Sequence, residues 1–149
     1  MLFSQIFLTF AATALAAPAG TKLMTVEGES WTIENMKRIC NDEDTSCTWT
    51  FAINTHAEGV EPTDAEYIVE ASGDLPASRA IGGPSEFGIF TVTSTWSDWQ
   101  GDASLGWTTM SVIDQERGVL VYPSYTDKQL AGGEVVEPDQ SYVPELIPF

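Results

Sequence analysis

One stretch predicts the fold: Cys40-Asn-Asp-Glu-Asp-Thr-Ser-Cys47-Thr-Trp49-Thr-Phe51-Ala-Ile53-Asn54. From Cys47 onward every second residue is apolar, and the residues between them are mostly polar. This alternation is typical of a β-strand with one face buried and the other in water. The residues between the two cysteines are of the types that favour a turn. The sequence therefore predicts a β-hairpin that the two cysteines hold together.

The cysteines themselves predict one disulfide bond, Cys40–Cys47, because the chain has no others. A metal site would need further thiols or imidazoles nearby, and His56 is the only histidine. Closing so short a loop restricts the unfolded chain only modestly, and in the chain-entropy model it adds about 2.5 kcal/mol to the free energy of unfolding. We expect the bond to add stability without determining the fold.

Further β-strands are predicted where β-branched and aromatic residues cluster between turn-forming residues. These segments are 30–35, 66–71, 87–93, 107–113, 119–122 and 135–136. The dibasic pair Lys37-Arg38 is interpreted as a solvated part of the first strand. The loop 72–85, rich in turn-forming residues, is expected to cover an edge or an end of the sheet.

Helix signals are rare, and only Thr126-Asp-Lys-Gln129 has the spacing of a capping box. Six to eight short strands with almost no helix are typical of the all-β class. We therefore predict a single antiparallel β-sandwich or small β-barrel with at most one short helix.

The first 16 residues have an apolar centre and end in Ala14-Leu-Ala16, the small-residue pattern that signal peptidase cleaves. We predict a signal peptide over residues 1–16 and one secreted β domain over 17–149, located outside the cell. The apolar run is shorter than the roughly 20 residues that span a bilayer.

The charge of the chain is strongly negative: 22 acidic residues against six Lys and Arg give a formal net charge of -16. Nucleic acid and anionic membranes both need a basic surface, so neither is an expected partner. The excess of acid favours solubility outside the cell.

Several motifs spread over most of the mature chain are shared with a known group of proteins. They are Trp31-x-Ile33-x-Asn35-x-x-Arg38-x-Cys40, Trp49-x-Phe51-x-Ile53, Phe90-Thr-Val-Thr with Trp96, Trp107-Thr-Thr-Met-Ser-Val-Ile113, and Tyr125-Thr-Asp-Lys-Gln-Leu130 through Pro138-Asp-Gln-Ser-Tyr142. With them the chain resembles the small secreted, effector-candidate proteins of filamentous ascomycete fungi. The spacing of the apolar residues in the first strands is also similar to that in the β-barrel allergen family of Alternaria moulds, a similarity at the level of the fold.

The resemblance implies an extracellular all-β protein and an effector-like role, without an activity. Members of the group often carry further cysteines near Ala65 and in the loop before Phe87. This chain has none there, so that half of the protein has no covalent tie.

Catalytic motifs do not stand out from the structural background. A glycoside hydrolase needs two facing carboxylates. Because this chain has many acidic residues in loops, such a pair would arise by chance and is not a specific signal. No G-x-S-x-G motif occurs, and His56 reads as an exposed loop residue. Asp98 and Asp102 could offer oxygens to calcium, but their spacing does not follow an EF-hand loop. We predict no catalytic residues, no metal and no cofactor.

Three tryptophans within twelve residues give the strongest recognition signal. Trp96 and Trp99 lie in a segment rich in Ser, Asp, Gln and Gly, whereas Trp107 is expected to be buried at a strand end. An exposed indole can stack on a sugar or anchor a protein interface. We predict that the ligand-binding residues are Trp96, Asp98, Trp99 and Asp102. Trp31 and Trp49, beside the disulfide, are predicted to be core.

The function that these patterns favour is binding without catalysis, directed at a host or cell-surface molecule. The partner class is an unknown extracellular protein or glycan. The alternative hypothesis is a cell-wall carbohydrate-binding or glycan-cleaving protein.

Overall fold

The computed structural model describes residues 25–148, and the predicted signal peptide, residues 1–16, lies outside them. The described chain forms ten β-strands and one α-helix. The elements are β1 (Trp31–Cys40), β2 (Ser46–Asn54), β3 (Thr63–Glu70), β4 (Gly82–Phe87), β5 (Phe90–Trp99), β6 (Asp102–Asp114), β7 (Val119–Val121), β8 (Ser124–Thr126), α1 (Asp127–Leu130), β9 (Gln140–Tyr142) and β10 (Glu145–Leu146). Short 3-10 helices cover Ala77–Arg79 and Ala131–Gly133.

The strands form two antiparallel sheets, which confirms the predicted all-β fold. The first sheet has the order β3-β2-β1-β9, and the second has the order β10-β7-β6-β5-β4, with β8 also paired to β6. The single helix starts at Thr126 with both hydrogen bonds of the predicted capping box. Among residues 25–148, no helix has the length and apolar character that a bilayer crossing requires.

The core lies between the two sheets. Trp31 of β1 packs edge-on against Phe90 of β5, with ring centroids 5.4 Å apart. Trp49 of β2 stacks on Tyr67 of β3. Trp31 is 0% exposed and Trp49 is 2% exposed, which confirms both as core residues. Aromatic pairs of this kind add to the free energy gained by burying apolar area.

The β1–β2 hairpin has the predicted form. Cys40 lies directly opposite Cys47, and their sulfurs form the predicted disulfide bond, 2.01 Å long. The side-chain oxygen of Asn41 accepts the N–H groups of Thr45 and Ser46, 2.8 and 3.2 Å away. In the turn these two N–H groups thus bond to a side chain, and without it they would depend on water for a partner.

A β-bulge interrupts β1 at Asn35, which has a positive φ of 53° and donates its N–H to Asp139. The extra residue reverses the alternation of faces, so Ile33 and Met36 both point into the core although they are three residues apart. Arg38 follows Met36 inward and is only 8% exposed. The prediction that Arg38 is solvated was therefore wrong.

Two other strand predictions were wrong. The segment 87–93 is not one strand, because Phe87 ends β4 and Phe90, directly opposite it, begins β5. Gly88 has a φ of 57° and makes the two-residue turn, for which glycine is the favoured first residue. Residues 135–136 form no strand. Instead, the N–H of Val136 donates to the carbonyl of Met36 beside the bulge.

Residues 72–81 of the predicted loop 72–85 close one end of the sandwich, whereas residues 82–85 belong to β4, so the predicted loop was too long. Its 3-10 helix buries Ala77, and Ala80 follows it into the core. The side chain of Asp44, from the β1–β2 turn, accepts the backbone N–H and the hydroxyl of Ser78 at 2.8 and 2.5 Å. The clasped hairpin is thereby fixed to the loop.

Candidate functional site

The predicted ligand-binding residues lie on or beside the hairpin that joins β5 to β6. Gln100 and Gly101 form its turn with φ values of 53° and 81°, both in the region that a type I′ turn requires. Trp99 lies opposite Asp102 and is 61% exposed. We call the exposed segment 98–105 the hairpin tip. It brings Asp98, Trp99 and Asp102 together.

The two aspartates of the hairpin tip shape its backbone. Asp98 accepts the N–H of Gly101 at 3.1 Å. Asp102 accepts the hydroxyl and the N–H of Ser104 at 2.6 and 3.0 Å, and these hydrogen bonds hold the pKa of Asp102 below its usual value. Within residues 25–148, neither carboxylate has two further cation ligands close to it. Both place negative charge beside Trp99.

Trp96 is separated from the hairpin tip, because its side chain points toward the end of the core. Its indole N–H donates to Asp127 at 2.8 Å, and the guanidinium of Arg79 lies 4.9 Å above the ring. On the other strand, a Cβ added to Gly106 would lie 2.6 Å from the ring, so only glycine fits there. The structure thus holds Trp96 in place as part of the scaffold.

Asp127 joins this indole to a partly buried ion pair that the sequence did not predict. Arg38 Nη1 lies 3.2 Å from Asp127 Oδ1 and 3.3 Å from the carbonyl oxygen of Ser78. The same guanidinium lies 5.4 Å over the ring of Trp49. The ion pair connects β1 to the start of α1, and Trp96 adds β5 to the same carboxylate. A sequence signal existed, since the three-residue spacing of Ile33 and Met36 marks the bulge.

Trp107 faces outward rather than into the core. Gly106 faces Trp96 on the inner side, so its neighbours Leu105 and Trp107 point to the outer side of the sheet. Leu105 is 54% exposed, and Trp107 is only partly buried, which corrects the expectation that it is buried.

The titratable groups give little support for acid–base catalysis. His56 is exposed, and its ring lies 2.7 Å from the hydroxyl of Thr32; no acidic side chain of the described residues bonds to that ring. The pKa values of Glu29 and Asp102 are both lowered, by hydrogen bonds from Arg117 and Ser104 respectively. A general acid of a glycosidase needs the opposite shift.

The fold and the hairpin tip define a small, disulfide-clasped, all-β protein that presents the indole of Trp99 to solvent. The family model described as Effector TSP1 matches residues 32–147 of this chain. A protein named Effector TSP1, from Hypocrea virens (strain Gv29-8 / FGSC 10586), is 45% identical over 139 residues, which cover 93% of this chain and 91% of that protein. The chain belongs to the Effector TSP1 family. This confirms the resemblance to effector-candidate proteins of filamentous ascomycete fungi.

Proposed function

We propose that this protein is a secreted effector that binds a host or cell-surface molecule through the hairpin tip and catalyses no reaction. Its family supports the effector role. The Cys40–Cys47 disulfide suits the oxidising space outside the cell. The predicted signal peptide, residues 1–16, would direct the chain there.

The exposure of Trp99 is the observation that carries the proposal. Tryptophan is among the residues that most often dominate the binding energy of protein interfaces. At 61% exposure, Trp99 lies at the end of β5, directly before the two-residue turn. It can enter a partner's pocket without any rearrangement of the sandwich.

The charges around Trp99 favour one kind of partner. Asp98 and Asp102 flank the indole in a protein of net charge -16. Such a field attracts basic surfaces and slows the approach of acidic ones. We therefore expect an apolar pocket bordered by Lys or Arg in the partner.

The experiment is affinity capture from host extracellular fluid with the immobilised protein and two variants. Trp99→Ala removes the indole, and Ile81→Ala, a change at another exposed apolar residue, is the matched control. We expect Trp99→Ala to weaken retention of the captured partner at least about tenfold, as loss of an interface hot spot does. Ile81→Ala should retain the partner fully. Equal retention by Trp99→Ala and the unaltered protein would contradict the proposal.

The second candidate function, binding of cell-wall carbohydrate, is favoured by a different surface. The outer face of the second sheet is rich in hydroxyl groups and has its own aromatic side chains, including Trp107.

A further inference from the structure

The outward residues of β5, β6 and β8 form regular rows across the second sheet. Thr95 lies opposite Thr109, which lies opposite Ser124 on the other side. In the next row, Trp107 lies between Ser97 and Thr126. The third row consists of Thr93, Ser111 and Tyr122.

Tyr122 belongs to this third row because β7 and β8 pair with β6 in the same register. Val121 lies opposite Val112, and Ser124 lies opposite Thr109, so the intervening register places Tyr122 opposite Ser111. The N–H of Met110 donates to the carbonyl of Pro123 at 2.7 Å, which continues the same ladder. We name these nine residues the hydroxyl face: Thr93, Thr95, Ser97, Trp107, Thr109, Ser111, Tyr122, Ser124 and Thr126.

The hydroxyl face carries no charged residue, although 19% of the chain is charged. Its members are all exposed or partly exposed. The acidic residues of the same sheet face, Glu86 opposite Thr91 and Glu145 opposite Leu120, lie in the row beyond the hydroxyl face. On the first sheet, charged residues lie throughout the outer face: Lys37, Asp64, Glu66 and Glu70. A surface free of charge on so acidic a protein suits a ligand that is polar but neutral.

The hydroxyl groups on this face form pairs that still have free hydrogen-bonding capacity. Thr93 bonds to Ser111 at 2.5 Å, and Thr109 bonds to Ser124 at 2.9 Å. Each Ser or Thr hydroxyl has one donor and two acceptor sites. A pair that uses one donor and one acceptor keeps a donor and further acceptors for a ligand. Sugar hydroxyls offer the same combination, so the two sets can interleave.

The aromatic rings of Trp107 and Tyr122 lie at opposite ends of the hydroxyl face. Tyr122 is 51% exposed and lies opposite Ser111, four residues along β6 from Trp107. At the usual rise per strand residue, this is about 13 Å along the sheet. A flat ring with a polar tip can stack on the apolar side of a sugar ring. Only a chain of several sugars reaches both rings.

We propose that the hydroxyl face binds an extended, neutral polysaccharide. Protein interfaces are an inferior match, because Ser and Thr are under-represented among interface hot spots. Nucleic acid would need basic residues, which this face lacks. Acidic polysaccharides would be repelled by the net charge of -16. The inference rests on the proposed function only in that the protein acts outside the cell by binding; it uses a surface other than the hairpin tip.

The experiment measures retention of the folded protein on insoluble chitin, cellulose and linear β-1,3-glucan. We expect retention on at least one of them, and equal retention in high salt because no charge takes part. Trp107→Ala and Tyr122→Ala should each weaken retention at least about tenfold, as loss of an aromatic contact does. The double variant Thr95→Val, Thr109→Val keeps the β-branched shape but removes two hydroxyls. It should weaken retention, but less than either aromatic substitution does.

The controls separate this inference from the proposal for the hairpin tip. Trp99→Ala should bind the polysaccharide like the unaltered protein, and so should Ile68→Ala on the first sheet, whose side chain is 58% exposed. Near-ultraviolet circular dichroism and the unfolding midpoint verify that Tyr122→Ala, a change at an exposed residue, remains folded. Failure of all three polymers to retain the protein overturns the inference. So does full retention by Tyr122→Ala, or loss of binding in high salt.

Discussion

The two long hairpins of this protein are built alike and end differently. Both turns are shaped by Asn or Asp side chains that accept backbone N–H groups, Asn41 in the β1–β2 turn and Asp98 in the β5–β6 turn. The first turn is closed by the Cys40–Cys47 disulfide and fixed to Ser78 by Asp44. The second has no such tie and ends in an exposed Trp99.

The difference separates stability from recognition. The β1–β2 hairpin contributes Trp31, Trp49 and the inward Arg38 to the interior, so changes there act on the folded state. The hairpin tip, residues 98–105, contributes no buried residue to the core. Trp96, earlier in β5, belongs to the network around Asp127. The hairpin tip can therefore change its side chains at little cost in stability.

The largest expected effect comes from removing the carboxylate that links the two hairpins. Asp127→Ala leaves Arg38 buried without its charge partner and Trp96 without its acceptor. Leaving the buried guanidinium of Arg38 unpaired in this way should lower the free energy of unfolding by about 3 kcal/mol. Urea denaturation measures the change, with Asp74→Ala, at an exposed residue, as the control. Equal stability of the two variants would show that the hairpins are not linked through Asp127.

A slightly smaller loss is expected when the clasp of the first hairpin is removed. The double variant Cys40→Ala, Cys47→Ala should unfold with a free energy lower by about 2.5 kcal/mol, because the unfolded chain regains the freedom of a short loop. Far-ultraviolet circular dichroism should still report a β-sheet protein. A chain that fails to fold would contradict the view that the disulfide only supports the hairpin.

The smallest effect concerns Tyr67, which packs on Trp49 beside the first hairpin. Burial raises the pKa of the Tyr67 phenol well above its usual value of 10.0. The unfolded state loses this proton near pH 10 and the folded state does not, so stability is full below that pH and falls above it. Tyr67→Phe should lessen the loss of stability between pH 8 and about pH 11 by about 1.4 kcal/mol.

The control for that comparison is Tyr122→Phe, because Tyr122 is exposed. Urea midpoints at the two pH values should fall as far in Tyr122→Phe as in the unaltered protein. If Tyr67→Phe showed that same fall, the phenol of Tyr67 would not be the group that resists ionisation.

The sequence was most informative where one face of a strand is buried and the other is exposed to solvent. Alternation after Cys47 predicted β2 correctly, and the two cysteines predicted the disulfide. Alternation failed for Arg38, because a single extra residue at Asn35 exchanges the two faces of β1. It failed again near Gly88, where β-forming residues continue on both sides of a tight turn.

The candidate site was only partly predictable for a related reason. Composition identified the exposed hairpin tip around Trp99, since Asp, Gln and Gly mark a turn. It could not show that Trp96 points inward, because its partner Asp127 is 31 residues away along the chain. Contacts between distant segments depend on how the two sheets pack, and local patterns do not encode that packing.

A crossed comparison of the two hairpins tests the central claim most directly. Unfolding free energy and retention of the extracellular partner are measured for Trp99→Ala and for the double variant Cys40→Ala, Cys47→Ala. We predict that Trp99→Ala loses the partner at unchanged stability, whereas the double variant loses stability and still binds the partner at a temperature where it is folded. If each variant changed both properties together, stability and recognition would not be divided between the two hairpins.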